Sequence, residues 1–303
     1  MSNIQLFISC TLIWGSTWIA ITFQLGEVDP VLSVAYRFTI ASILLGCVCW
    51  FKKLSLKLPM HIHIKMAAVG LSLYTLDYSF LYESQKYLVS AVVALMSSCI
   101  IYINVIMRRL FLKKPIRLEV VLGATFGLLG MAMIFVPQFE HAQTHMFLSL
   151  GITLACIAFV CAAFGNVISE RILDHGTPVL QMNFWAMTYA LVFLYGYAFL
   201  NGAELVFPSS VDYYLSLLFL AVFGSVLAFG AYMKLVQQIG SDKAAYVVLM
   251  YPLVALFIST LFEGYQWRLP ALIGVLVVLL GNAIAMGKVP LSIAAFKARQ
   301  IKD

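Results

Sequence analysis

Charge is what this sequence has little of. Only 11% of its 303 residues are Asp, Glu, Lys or Arg, against about 25% in a soluble domain. Hydrophobic residues make up 63% and the mean hydropathy is +0.97. No soluble core of this length can hide so much apolar surface, so a soluble enzyme or binding domain is excluded. The dyad alternation of a transmembrane barrel is missing as well, because the apolar runs are continuous. The first run, "MSNIQLFISCTLIWGSTWIAITF", has neither a basic n-region nor a small-x-small cleavage site, and is expected to stay as a membrane span. The six cysteines (Cys10, Cys47, Cys49, Cys99, Cys156, Cys161) lie in apolar runs without metal-ligand spacing. They read as small packing residues, and neither a metal site nor a disulfide framework is expected.

Other signatures are missing too. All five histidines are expected in loops, and "EHAQTH" (140–145) lacks the His-Glu order of a zinc hydrolase. There is no phosphate-binding glycine loop, so no cofactor and no ATP-driven step are expected. The net charge of +6 would suit nucleic acid, but the basic residues sit in short loops beside apolar runs. A bilayer accounts for that placement, and nucleic acid is not an expected partner.

What is present is a series of apolar segments of about 20 residues, the length that crosses the hydrocarbon as a helix. Ten are expected, near 4–23, 31–51, 65–85, 89–111, 118–136, 147–168, 179–200, 213–235, 243–262 and 269–287. With ten spans, the termini and the even-numbered loops share one side. Of the 19 basic residues, only Lys86 and Arg268 fall on the other side, and Arg37 lies inside a span. The positive-inside rule then places both termini in the cytoplasm, in an inner (cytoplasmic) membrane.

The two halves echo each other. "PVL" occurs at 30–32 and 178–180, an offset of 148, and Tyr82 corresponds to Tyr232 at 150. "GATFGLLGMAM" (123–133) matches "GVLVVLLGNAIAM" (274–286) at 151, each with Gly-x6-Gly. A near-constant offset marks an internal repeat. Five spans per half is an odd number, so the second half enters from the opposite side. The expected fold is therefore an all-α polytopic membrane protein, with ten transmembrane helices as two inverted five-helix repeats, 1–138 and 139–303. Such repeats suit alternating access around a midplane site.

Specific stretches sharpen this reading: "WGSTWIAI" (14–21), "AYRF" (35–38), "GSDKAAYVVLMYPLVALFISTLFEGYQW" (240–267) and "ALIGVLVVLLGNAIAM" (271–286). Through them the whole chain resembles the drug/metabolite transporter superfamily, in its ten-span EamA-type branch. Span four departs from the pattern, reading "SSCII" (97–101) where a proline is common and "LKKP" (112–115) where an acidic turn is common. The resemblance implies a small-metabolite exporter, with amino acids and related compounds among the substrates of similar proteins. It also implies asparagine at the position of Asp77 in many relatives, which suits a neutral, hydrogen-bonding role there.

Polar residues inside the spans are the candidate site. Asp77 lies roughly 18 Å along span three, near mid-bilayer, where an aspartate costs roughly 2.5–3.5 kcal/mol on insertion scales. It is read as a helix-to-helix hydrogen bond, a proton-coupling group or a partner for a substrate amine. Glu83 lies nearer the outer end, and Arg37 is expected to pair structurally, snorkel or meet a substrate carboxylate. Tyr74, Tyr78 and Tyr82 fall at i, i+4, i+8 and form one stripe, serving either packing or a pocket wall. Further cavity candidates are Trp14, Thr17 and Trp18 around Gly15, Asn104, Asn166, Gln181, Asn183 and Trp185, and Tyr246 and Tyr251 beside Pro252. A proline in mid-helix frees a carbonyl, so a kink is expected there.

The expected function is a secondary or facilitative transporter, not an enzyme. It is expected to act as a monomer or weak homodimer on a small-molecule substrate, with protons as the candidate coupling ion. A membrane-embedded enzyme acting on a lipid or isoprenoid is the alternative, and would need a reactive cluster that the sequence does not supply.

Overall fold

A computed structural model of the chain describes residues 1–24, 28–84, 87–88, 93, 96–139, 148–262 and 267–288. All regular structure among them is helical. The elements are α1 (Asn3–Thr22), α2 (Pro30–Phe51), α3 (Met60–Val69), a π-helical segment π1 (Gly70–Leu76), α4 (Asp77–Ser84), α5 (Ile100–Leu112), α6 (Leu118–Phe139) and α7 (Leu148–Asp174). There follow α8 (Val179–Leu200), α9 (Val211–Phe219), π2 (Leu220–Leu227), α10 (Ala228–Ile239), α11 (Ser241–Ala244), α12 (Tyr246–Phe262) and α13 (Leu269–Ala285). Each of the ten expected segments is helical at least in part. Among the described residues, five helices are long and apolar enough to cross a membrane: Pro30–Phe51, Ser149–Asp174, Val179–Leu200, Val211–Ile239 and Ser241–Ile258. Their outer faces carry exposed Ile43, Val192 and Leu215, a surface suited to lipid.

Local chemistry sets several ends. Ser2 and Gln5 form a capping box on α1. Asp29 caps α2 through the amides of Val31 and Leu32, and Pro30 opens the helix at the one place where a missing N–H costs nothing. Pro252 lies within an uninterrupted α12; the break in this region falls at Ala245, between α11 and α12.

Two departures from plain α-helix have matching positions. α3, π1 and α4 run as one rod, as do α9, π2 and α10. π1 begins at Gly70 and π2 at Leu220, an offset of 150, the same that relates Tyr82 to Tyr232. Each π segment packs across the repeat boundary, π1 on α8 and π2 on α2. The widened i→i+5 turn shifts the helical register, and this splits the expected tyrosine stripe. Tyr74 is fully buried in π1, while Tyr78 and Tyr82 follow on α4 with rings 6.5 Å apart.

α6 and α13 cross antiparallel with backbones in contact. A Cβ on Gly130 would lie 2.5 Å from the Gly274 carbonyl, and one on Gly281 would lie 2.5 Å from the Gly123 carbonyl. The contact is reciprocal, since Gly123 and Gly130 correspond to Gly274 and Gly281 at the 151 offset. Only glycine permits that approach, and small residues are what let membrane helices come this close. Elsewhere α1 packs on α10 and α12, and α7 packs on α4 and α5. The first helix of each half is thus seated against the other half.

Candidate binding cavity and its closed end

The interleaved helices leave a central cavity of about 160 Å³. Its walls come from α1 (Trp14, Thr17, Ile21), α2 (Arg37), the π1–α4 rod (Leu73, Asp77, Tyr78, Leu81, Tyr82), Val93, Ser97 and Ile100. α7 (Phe159, Ala162, Asn166), α10 (Phe229, Tyr232) and α12 (Val248, Tyr251) complete it. Eight candidates from the sequence therefore meet here: Trp14, Thr17, Arg37, Asp77, Tyr78, Tyr82, Asn166 and Tyr251. The apolar and aromatic wall residues Phe159, Phe229 and Val248 could not be singled out in a chain this rich in such residues.

Each polar wall residue has a definite setting. The Trp14 indole N–H donates to the Gly224 carbonyl in π2 at 3.1 Å, and its ring meets Phe229 and Tyr232 at 5.1 Å. Thr17 donates to the Trp14 carbonyl at 2.7 Å. Arg37 donates from Nε to Ser225 Oγ at 2.8 Å, with its guanidinium over the Phe38 and Tyr78 rings at 5.7 and 5.5 Å. Among the described residues the partners of Arg37 are thus a hydroxyl and two rings, not a carboxylate. Ser97 and Tyr251 share a hydroxyl contact at 3.4 Å. Asp77, at the junction of π1 and α4, is partly exposed to the cavity and makes no side-chain hydrogen bond or ion pair among the described residues.

The other candidates lie elsewhere. Gln181 and Trp185 donate to the carbonyls of Ser55 and Leu56, and so tie α8 to the loop after α2. Asn183 accepts from the Tyr74 hydroxyl at 3.4 Å. Tyr246 donates to the Val120 carbonyl and holds α12 to α6. Asn104 is fully buried on α5, away from the cavity. Glu83 lines a second pocket of about 390 Å³ with Asp29 and Glu204, and Tyr82 borders both pockets. The Trp18 side chain is outside the described residues. Among the described residues no group of three or more His, Cys, Asp or Glu is placed to hold a metal ion.

At the end of the bundle opposite that second pocket lies a buried ion cluster. Arg108, near the end of α5, donates from Nε to both Glu170 oxygens at 2.8 and 3.1 Å, and from Nη1 to Asp242 at 3.1 Å. Lys114 reaches Glu170 at 2.9 Å and Asp174 at 2.6 Å. Arg117 reaches Asp242 at 3.4 Å and the Ile239 carbonyl at 2.9 Å. Ser241 donates its amide and its hydroxyl to Glu170. Three bases from one half thus meet three acids from the other. Gly240, at φ +91°, makes the turn into α11; a Cβ there would stand 2.7 Å from Arg108 Nη2. Lys114 sits in the loop after α5. Burial alone would lower its ammonium, but the bonds to Asp174 and Glu170 outweigh this and raise it.

Buried polar atoms without a hydrogen-bond partner among the described residues include the Asn166 amide oxygen and the Tyr232 hydroxyl at the cavity wall, and both side-chain polar atoms of Asn104 and Ser169 Oγ, on the stretches of α5 and α7 that lead to Arg108 and Glu170. Buried polar groups of this kind call for water or for a second conformation that satisfies them. Sequence reading missed the cluster because its members stand at the ends of apolar runs, where charge is ordinary.

The EamA-like transporter family model matches residues 1–136 and 149–287. The chain is similar to YoaV, an uncharacterized transporter of Bacillus subtilis, at 23% identity over 90% of this chain and 93% of that one. It is also similar to the protein PagO of Salmonella typhimurium, at 24% identity over 86% and 84% of the two chains. YedA, an uncharacterized inner membrane transporter of Escherichia coli K12, is 28% identical over 84% and 80%. A crystal structure of a protein 18% identical in sequence has the same fold, with a TM-score of 0.76 over 100% of this chain and 99% of that one.

Proposed function

The chain belongs to the EamA-like transporter family, and from that premise we propose that it exports small, partly apolar metabolites, amino acids or related compounds, across the cytoplasmic membrane. The transport cycle is alternating access between two inverted five-helix halves, 1–138 and 139–303, with both termini in the cytoplasm. One observation carries this reading. A cavity is walled by helices of both halves, and toward one end of the bundle a buried ion cluster joins acids and bases from opposite halves. On the proposed orientation that end is cytoplasmic. The equivalent π segments and the reciprocal glycine contact support the inverted symmetry that alternating access uses.

Breaking the cluster lets the halves rock and opens the cytoplasmic end, while the wall around Tyr82 closes. The driving force is the substrate gradient or a proton gradient acting at Asp77. The test is reconstitution of the full chain in liposomes, with uptake of a labelled panel of amino acids and the related amines measured with and without a pH gradient. Saturable, protein-dependent flux is expected. Absence of flux for every compound would remove the amino-acid assignment. Chemical conversion of a solute without flux would favour a membrane-embedded enzyme.

A further inference from the structure

The two charged residues on the cavity wall are in opposite conditions. Arg37 is 3% exposed, bonded to Ser225 and held over two rings, so its charge is engaged by the protein. Asp77 is open to the cavity and engages nothing among the described residues. The backbone holds it in place, since its amide donates to the Ser72 carbonyl in the π-type bond that ends π1. Leaving a carboxylate unpaired in an apolar wall is costly, and the cost is relieved either by a proton or by a cation brought into the cavity.

The rest of the wall has the same preference. Trp14, Tyr78, Tyr82, Phe229 and Tyr251 offer ring faces, which attract ammonium groups as well as apolar bodies. The Asn166 amide oxygen and the Tyr232 hydroxyl have no hydrogen-bond partner among the described residues. A volume near 150 Å³ holds a guest the size of benzene, so about 160 Å³ suits one aromatic or branched apolar group. A carboxylate brought into this space meets the like charge of Asp77 and a guanidinium already engaged.

We propose that Asp77 is the specificity-determining residue of this cavity, and that the substrate is a protonated primary amine with a single aromatic or apolar body and no carboxylate. The inference rests on the transporter reading and narrows it, from amino acids and their relatives to amines. Asp77 pairs with the ammonium, and the rings enclose the body.

Three probes of matched shape test it: phenethylamine, phenylalanine and 3-phenylpropionate. Binding to the full chain in lipid nanodiscs is measured by calorimetry, independently of flux. The amine is expected to bind about tenfold or more tighter than either carboxylate-bearing probe, a difference of about 1.4 kcal/mol. Asp77→Asn is nearly isosteric and should keep the thermal unfolding temperature while weakening phenethylamine by about tenfold. Asp77→Glu, which restores the charge, should recover part of the loss. Phenylalanine binding as tightly as the amine would overturn the proposal, as would undiminished amine binding by Asp77→Asn or no binding of any probe. The transporter reading stands or falls separately, on the liposome flux.

Discussion

Asp77 and Glu170 are both acids within apolar helices, and the protein treats them in opposite ways. Asp77 was legible in the sequence because a carboxylate deep in an apolar run has no neighbour to explain it. Glu170 was not, because it stands beside Arg171 at the end of a run, and its partners come from 62, 56 and 71 residues away. Removing one member of a buried ion pair strands its partner and costs about 3–5 kcal/mol. Arg108→Met leaves Glu170 and Asp242 short of their shared cation, so it is expected to lower thermal stability in detergent clearly. Replacing the half-exposed Lys114 should lower it far less, since exposed pairs contribute little. Gly240→Ala is expected to disturb the cluster without removing any charge. Its φ of +91° disfavours a side chain, and the added methyl presses on Arg108. The raised Lys114 works in a fixed direction. Its contribution is fully present below the ordinary lysine value and is lost only as pH rises through the higher folded value. Stability measured through neutral pH should therefore show no transition from Lys114.

At the scale of elements, the glycine repeats were readable and the π segments were not. Gly-x6-Gly recurs at a fixed offset, and that arithmetic points to paired helices before any contact is known. A π turn changes which carbonyl each amide reaches, and the tyrosine spacing of 74, 78 and 82 gives no sign of it. Polar spacing alone could not separate Gln181 and Trp185, which fasten a loop, from Trp14 and Asn166, which wall a cavity. Both sets are polar or amphipathic groups on apolar helices, and only their distant partners distinguish them. The reciprocity of the α6–α13 crossing can be tested directly. Gly123→Val and Gly274→Val should destabilise by similar amounts, about 1–3 kcal/mol as for other overpacked sites. Gly196→Val should cost much less than either, because nothing stands within 4 Å of the added atom. Thermal unfolding of the three variants in one detergent decides it. Unequal effects at Gly123 and Gly274 would count against the pseudo-symmetric crossing.

For the whole molecule, the proposed alternating access needs near-symmetry to supply two states and its breakage to set their balance. Shifting Glu170 and Arg108 by the 150-residue offset lands on Ala20 and Ile258, so the equivalent contact between α1 and α12 is apolar. Among the described residues, the Arg108–Glu170 pair thus has no charged counterpart at the equivalent positions of the other end. A cluster of this kind weights the equilibrium toward the form in which that end is shut, and each 1.4 kcal/mol of such bias is a factor of ten in population. Asn104 stands four residues before Arg108 on α5, and Asn166 and Ser169 stand four and one residues before Glu170 on α7; water admitted by opening would satisfy their atoms, which have no partner among the described residues. Labelling can follow this. With the native cysteines replaced, Ser169→Cys should be nearly inert to a hydrophilic maleimide, because residue 169 is fully buried in the closed form. Adding Arg108→Met and Glu170→Gln together removes charge from both halves and should raise the labelling rate about tenfold or more. Cysteine at Thr17, on the cavity wall away from the cluster, should be labelled more slowly in the same background as the opposite end closes. A rise at residue 169 without a fall at residue 17 would mean that the cluster merely seals one end, and that the two ends do not alternate.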